Sequence, residues 1–88
     1  MKIELFSVPN DKGRELIKDF LNKYNIKYHE IITDDINLLE NVANGKLLKP
    51  LSLIRVKYSH SIHVADGYNK HFLNQLLEHI DKYKPQLE

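Results

Sequence analysis

The residues best able to do chemistry stand in four short stretches: Asp11-Lys12-Gly13-Arg14, a basic run between Glu40 and Asp66, the pair His60 and His63, and the carboxylates Asp34-Asp35. In the first stretch Asn10 or Asp11 is placed to cap a helix, since a short side-chain oxygen accepts from open first-turn amides. Such a helix start carries partial positive charge and favours anions, and Lys12 and Arg14 add to it. The competing reading is a solvated cap whose Asp11 already neutralises the helix end. The second stretch holds Lys46, Lys49, Arg55, Lys57, His60 and His63 without one carboxylate, a pattern that can meet phosphate or an acidic partner. Strand alternation would put Arg55 and Lys57 on one side and Ile54 and Val56 on the other. The competing reading is a charged hairpin that resists edge-to-edge pairing. His60 and His63 could both touch a zinc ion, but zinc takes three or four ligands. His29, His71 and His79 stand at no converging spacing, so the pair reads as polar hairpin residues. Asp34-Asp35 reads as a helix cap. None of Ser7, Ser52, Ser59 and Ser61 lies in a Gly-x-Ser-x-Gly elbow.

Composition narrows the chemistry further. The chain has 88 residues and no cysteine, which removes disulfides, cysteine zinc sites, iron–sulfur clusters and every thiol reaction. Its formal net charge of +1 argues against a dedicated nucleic-acid binder. The length suits one domain over residues 1–88, with a loosely ordered tail from about residue 83. The opening Met1 to Ser7 is too short and too charged for a signal peptide, and no apolar run approaches the ~20 residues of a membrane span. The expectation is a monomeric cytoplasmic protein.

The elements that must position these residues follow from periodicity. Lys2 to Ser7 alternates at Ile3 and Leu5 and reads as a strand. Val8-Pro9-Asn10-Asp11 turns. Leu16, Ile17, Phe20, Leu21 and Tyr24 recur at helical spacing, and Asn25 suits a left-handed stop. Ile26 to Ile32 reads as a second strand. Ile36, Leu38, Leu39 and Val42 predict a short helix closed by Asn44-Gly45. Leu51, Leu53, Ile54 and Val56 predict a third strand, and Ile62 and Val64 a fourth, paired with it as a hairpin. Phe72, Leu73, Leu76, Leu77 and Ile80 share one face of a last helix. The first two strands must be parallel, because a helix joins them by a right-handed crossover.

This β-α-β-α-β-β-α order, at this length, resembles the glutaredoxins, the minimal thioredoxin-like α/β fold. Lys2-Ile3-Glu4-Leu5-Phe6-Ser7-Val8-Pro9-Asn10 resembles the family's first strand and its Ser-x-Pro lead-in. Asn25-Ile26-Lys27-Tyr28-His29-Glu30-Ile31 resembles its second strand, and Lys49-Pro50 before Leu51-Ser52-Leu53-Ile54 resembles its Val-Pro step. Ile62-His63-Val64 with Asp66-Gly67-Tyr68 resembles the fourth strand and the glycine turn before the last helix. The resemblance covers about residues 2–80. It implies four strands in the order 2-1-3-4 with three helices, and a cis Lys49-Pro50 bond. The alternative is a ferredoxin-like sandwich with another strand order.

The family's Cys-Pro-x-Cys falls on Asp11-Lys12-Gly13-Arg14, so neither thiol is present. Disulfide exchange requires a thiolate, which excludes thiol–disulfide oxidoreductase activity. Val8 stands where the family has a glutathione-holding Lys, and one glycine of the pair before the last helix is absent. The expected function is a redox-inactive adaptor or regulatory module, without cofactor, that binds a protein partner through the former active-site end. The candidate residues there are Asp11, Lys12, Gly13, Arg14, Lys49, Pro50, Asp66, Gly67 and Tyr68. The alternative is non-catalytic binding of glutathione or a similar small anion. Neither a membrane nor a metal is expected. The predicted core comprises Ile3, Leu5, Leu16, Phe20, Leu21, Leu53, Val64, Phe72, Leu73 and Leu76.

Overall fold

A computed structural model describes residues 1–83. The predicted tail beyond Tyr83 lies outside the described residues. The elements are β1 (Lys2–Ser7), α1 (Lys12–Lys23), β2 (His29–Ile32), α2 (Ile36–Ala43), β3 (Leu53–Lys57), β4 (Ile62–Asp66) and α3 (Lys70–Tyr83). They form a mixed sheet in the order β2-β1-β3-β4. β1 pairs parallel to β2 and antiparallel to β3, and β3 pairs antiparallel to β4. This is the thioredoxin-like arrangement expected above. β2 is shorter than the predicted span: Ile26 is buried in the core, and pairing with β1 starts at His29.

Strand alternation divides the core into two layers. Ile3 and Leu5 of β1, Ile54 and Val56 of β3 and Ala65 of β4 face Ile17 and Leu21 of α1 and Leu73 and Leu76 of α3. On the other face Phe6, Val8 and Leu53 meet Leu39 of α2. Leu16 is a correction to the predicted core, being 48% exposed. The buried face of α1 is centred on Ile17 and Leu21, one turn apart, and Leu16 lies about 100° round the helix from Ile17. Phe20, Phe72 and Val64 are partly buried, packed against these layers rather than sealed within them.

The face that packs on α2 also carries charge. Glu4, almost fully buried, accepts from Arg55 Nε at 2.8 Å, with Lys57 and Lys2 each 3.8 Å away. The Arg55 hydrogen bond, with the surrounding positive charges, outweighs burial and holds the Glu4 carboxyl below its ordinary range. Arg55 and Lys57 do share one side, as alternation predicts. They lie on the inner strand β3, however, so the charges guard no edge.

Caps and turns follow local chemistry. The Asp35 carboxylate accepts from the Asn37 and Leu38 amides at the start of α2. Asn69 Oδ1 accepts from the Phe72 amide at the start of α3. Asn25 and Asn44 end α1 and α2 with φ of 56° and 57°, a conformation that asparagine tolerates better than most residues.

Candidate functional site

The end of the sheet where α1 begins gathers three loops around one residue, Ser52. Its hydroxyl accepts from the Val8 amide at 2.9 Å, its amide donates to Asp11 Oδ2 at 2.9 Å, and its carbonyl accepts from the Gly67 amide at 2.7 Å. Ser52 is fully buried. The loop after β1, the start of α1 and the turn after β4 are therefore all bonded to the connector that enters β3.

Asp11 stands at the cap position of α1, as predicted, but makes no side-chain hydrogen bond to the helix. Its carboxylate is turned across the loop to Ser52. Burial alone would raise its pKa. Hydrogen bonding from Ser52, aided by the open amides at the helix start, outweighs that and lowers it. Asn10 just before it adopts φ 66°, which reverses the chain so that Asp11 can reach inward.

Gly13 packs against the turn after β4. A Cβ there would lie 3.4 Å from both Asp11 Oδ2 and the Tyr68 amide nitrogen, and 3.7 Å from Gly67 Cα. Gly67 itself holds φ +65°, close to Leu51, a backbone that side chains other than asparagine rarely adopt. Of the nine candidate residues, Asp11, Gly13, Gly67 and Tyr68 thus meet directly, and Pro50 lies two residues from Ser52.

Arg14 is placed differently from the anion-binding reading. Its Nε donates to Ser7 Oγ, while its other nitrogens pair with Glu15 Oε2 at 2.7 Å and Glu30 Oε2 at 3.4 Å. Lys18 pairs with the same Glu30 at 3.3 Å. Burial would raise the Glu30 carboxyl, but hydrogen bonding from Ser7 and Lys18 and the charges of Lys18 and Arg14 lower it. Arg14 therefore fastens α1 to β2. Lys12 and Lys49 are exposed and, among the described residues, form no ion pair.

The Lys49–Pro50 bond is trans: the described residues contain no cis peptide. This corrects the expectation carried by the resemblance. With the Ser52 amide bonded to Asp11 and its carbonyl to Gly67, the connector reaches the sheet end without an isomeric bend. Two neighbours were not singled out from the sequence. Leu48 is fully exposed, although an apolar residue in a short connector ordinarily reads as buried. Ser52 had a signal, a small polar residue between Leu51 and Leu53 in the run predicted as the third strand, where a buried hydroxyl must find a partner, although β3 itself begins at Leu53.

Elsewhere, His60, His63 and His79 line a cleft of about 780 Å³ beside Tyr58 and Phe72. Among the described residues no group of three or more potential ligands is placed to hold a metal ion. No described helix is long and apolar enough to cross a membrane. No family model, curated protein or solved structure matches the chain.

Proposed function

We propose that the chain is a redox-inactive, glutaredoxin-like domain that binds a partner protein through the end of the sheet built around Ser52. The observation that carries this reading is the Asp11–Ser52 hydrogen bond. Where the resemblance puts a nucleophile, the chain has a carboxylate that joins the helix start to the β3 connector, and no thiol. The connector that leads to Ser52 carries the fully exposed Leu48 and the exposed Lys49, the half-exposed Tyr68 follows Gly67, and Lys12 opens α1; among the described residues neither lysine forms an ion pair. An apolar anchor flanked by positive charge suits an acidic, partly apolar protein surface. The Arg14 ion pairs weigh against the small-anion alternative, because they withdraw the guanidinium that would have held the charge.

Affinity capture with the native chain and with Leu48→Asp tests the reading. A protein retained by the native chain and lost from L48D, with both chains equally folded, is the expected result. Capture unaffected by L48D rejects it. Titration with glutathione separates the alternative: amide shifts at Lys12–Arg14, Lys49 and Asp66–Tyr68 support anion binding, and an unchanged spectrum supports the partner reading.

A further inference from the structure

We infer that the sheet face around Lys2 and Lys57 is a second interaction surface, which takes an acidic segment of a partner protein bearing an aliphatic side chain. This goes beyond the proposed function, since Lys2 begins β1 and Lys57 ends β3, at the end of the sheet opposite to Ser52.

The first observation is a cross-strand pair of like charge. Lys2 stands directly opposite Lys57, and Glu4 opposite Arg55, all on one face. Like charges directly opposite one another destabilise a sheet. A single carboxylate serves all three cations. Glu4 Oε1 accepts from Arg55 Nε at 2.8 Å, while the Lys57 and Lys2 ammonium groups stand 3.8 Å from its oxygens. That separation exceeds a hydrogen bond, so neither lysine donates one to Glu4. Their side chains are 37% and 54% exposed. Among the described residues no other carboxylate pairs with these cations. Three cations around one carboxylate leave an excess of two positive charges on this patch.

The second observation is what lies beside that charge. α1 and α3 pack on the opposite face, and α2 meets this one near Phe6, Val8 and Leu53. At the Lys2 end, His29 stands opposite Glu4 and Ile62 opposite Lys57. Both are exposed, Ile62 by 62%. An aliphatic side chain therefore lies open to solvent one strand away from an ammonium group with free donors.

Charge complementarity selects an anion, and Ile62 selects among anions. A partner's carboxylate at the Lys2–Lys57 pair supplies the counter-charge that Glu4 alone cannot, and an aliphatic neighbour on the same segment covers Ile62. A nucleic-acid strand fits less well. Binding of single strands relies on bases stacking on aromatic rings, and the aromatic side chain of this face, Phe6, is buried with the Arg55 guanidinium 5.0 Å over its ring. A second copy presenting the same face would set Lys2 and Lys57 against like charges.

The test titrates the native chain with the capped peptide acetyl-Glu-Glu-Leu-Glu-Glu-amide to millimolar concentration while backbone amide resonances are followed. Lys2, His29, Lys57 and Ile62 should shift together. Raising the ionic strength from about 0.01 M to about 1 M shortens the screening length from about 30 Å to about 3 Å, and should weaken binding about tenfold or more. Exchanging Lys2→Gln with Lys57→Gln should weaken it about fivefold or more, whereas Lys2→Arg with Lys57→Arg should restore it. A peptide with Gln in place of every Glu should leave the native chain unmoved, an arm that holds whether or not the variants fold. Unmoved Lys2, Lys57 and Ile62 amides overturn the proposal, as does equal binding of the Gln peptide, of the glutamine variant or at high salt. An equal response at these residues to inorganic phosphate, or a stronger one to single-stranded oligothymidylate, reassigns the face and also overturns it. Shifts confined to Lys12–Arg14, Leu48, Lys49 and Tyr68 overturn it while leaving the proposed function standing.

Discussion

The chain offers no thiol, and Asp11 and Ser52 are held to each other by a hydrogen bond. Thiol–disulfide exchange passes through a covalent mixed disulfide, and the only sulfur here is the thioether of Met1. The purified chain should reduce a glutathione mixed disulfide no faster than the uncatalysed rate, as a coupled assay will show. Asp11→Cys asks whether the scaffold still favours an anion at that point. The Ser52 amide that now donates to Asp11 would donate to a thiolate, and the open helix amides would stabilise it. Its pKa should fall below the free value of ~8.5, measured by the pH dependence of alkylation; an ordinary or raised value places Asp11 away from the nucleophile position. Ser52→Ala leaves the buried Val8 amide without its acceptor. An orphaned buried donor costs about 1–3 kcal/mol, so the melting temperature should drop by several degrees, at about 4–8 °C per kcal/mol for a domain this size. An unchanged melting temperature means that Val8 finds another acceptor.

Helices and strands here are stabilised by a few specific contacts that can be removed one at a time. α2 has only eight residues, too few to persist in isolation, and Asp35 caps it through two amides. Asp35→Ala should cost about 1 kcal/mol in denaturant melts; a loss under a few tenths would show that packing of Leu39 alone holds the helix. Across β1 and β3, Glu4 and Arg55 form a pair in which Glu4 is almost fully buried. A double-mutant cycle through Glu4→Gln and Arg55→Met should give a coupling of about 1–2 kcal/mol, and additive losses would reduce the pair to independent polar contacts. The element order was legible in the sequence because each element has its own short period. Leu16 shows the limit: apolar spacing placed it in the core, yet a one-residue rotation of the helix face sealed Ile17 and left Leu16 half in solvent. Periodicity defines a stripe, and the packing partner selects its centre.

The whole chain should be sensitive to acid in one direction. Glu4, Glu30 and Asp11 all have pKa values lowered by folding. Groups of this kind add stability above their unfolded values of 4.5, 4.5 and 3.8, and lose it as pH falls through the lower folded values. Stability should therefore stay nearly level, as far as these groups act, from neutral pH to about 5 and then decline on further acidification. Denaturant melts across that range check the sign. Glu4→Gln should flatten the acid limb, since it removes one titrating partner, and an unaltered limb would transfer the acid response to Glu30 and Asp11.

Near neighbours along the chain were enough to mark seven elements, the parallel first pair, the hairpin, the asparagine stops at Asn25 and Asn44, and the absence of any thiol. These properties depend on residue type and on spacings of two to four. The bonds that build the candidate site span much greater distances, Asp11 to Ser52 across 41 residues and Val8 to Ser52 across 44, as does the Glu4–Arg55 pair on the sheet face across 51. No local pattern encodes them, because each exists only once the strand order brings its partners to one end or one face of the sheet. The same applies to the trans Lys49–Pro50 bond, to Arg14 being drawn to Glu30, and to the open edge of β4. Arg14 meets Glu30 because the parallel β1–β2 pair places β2 beside the start of α1, and β4 has an open edge because the strand order ends there.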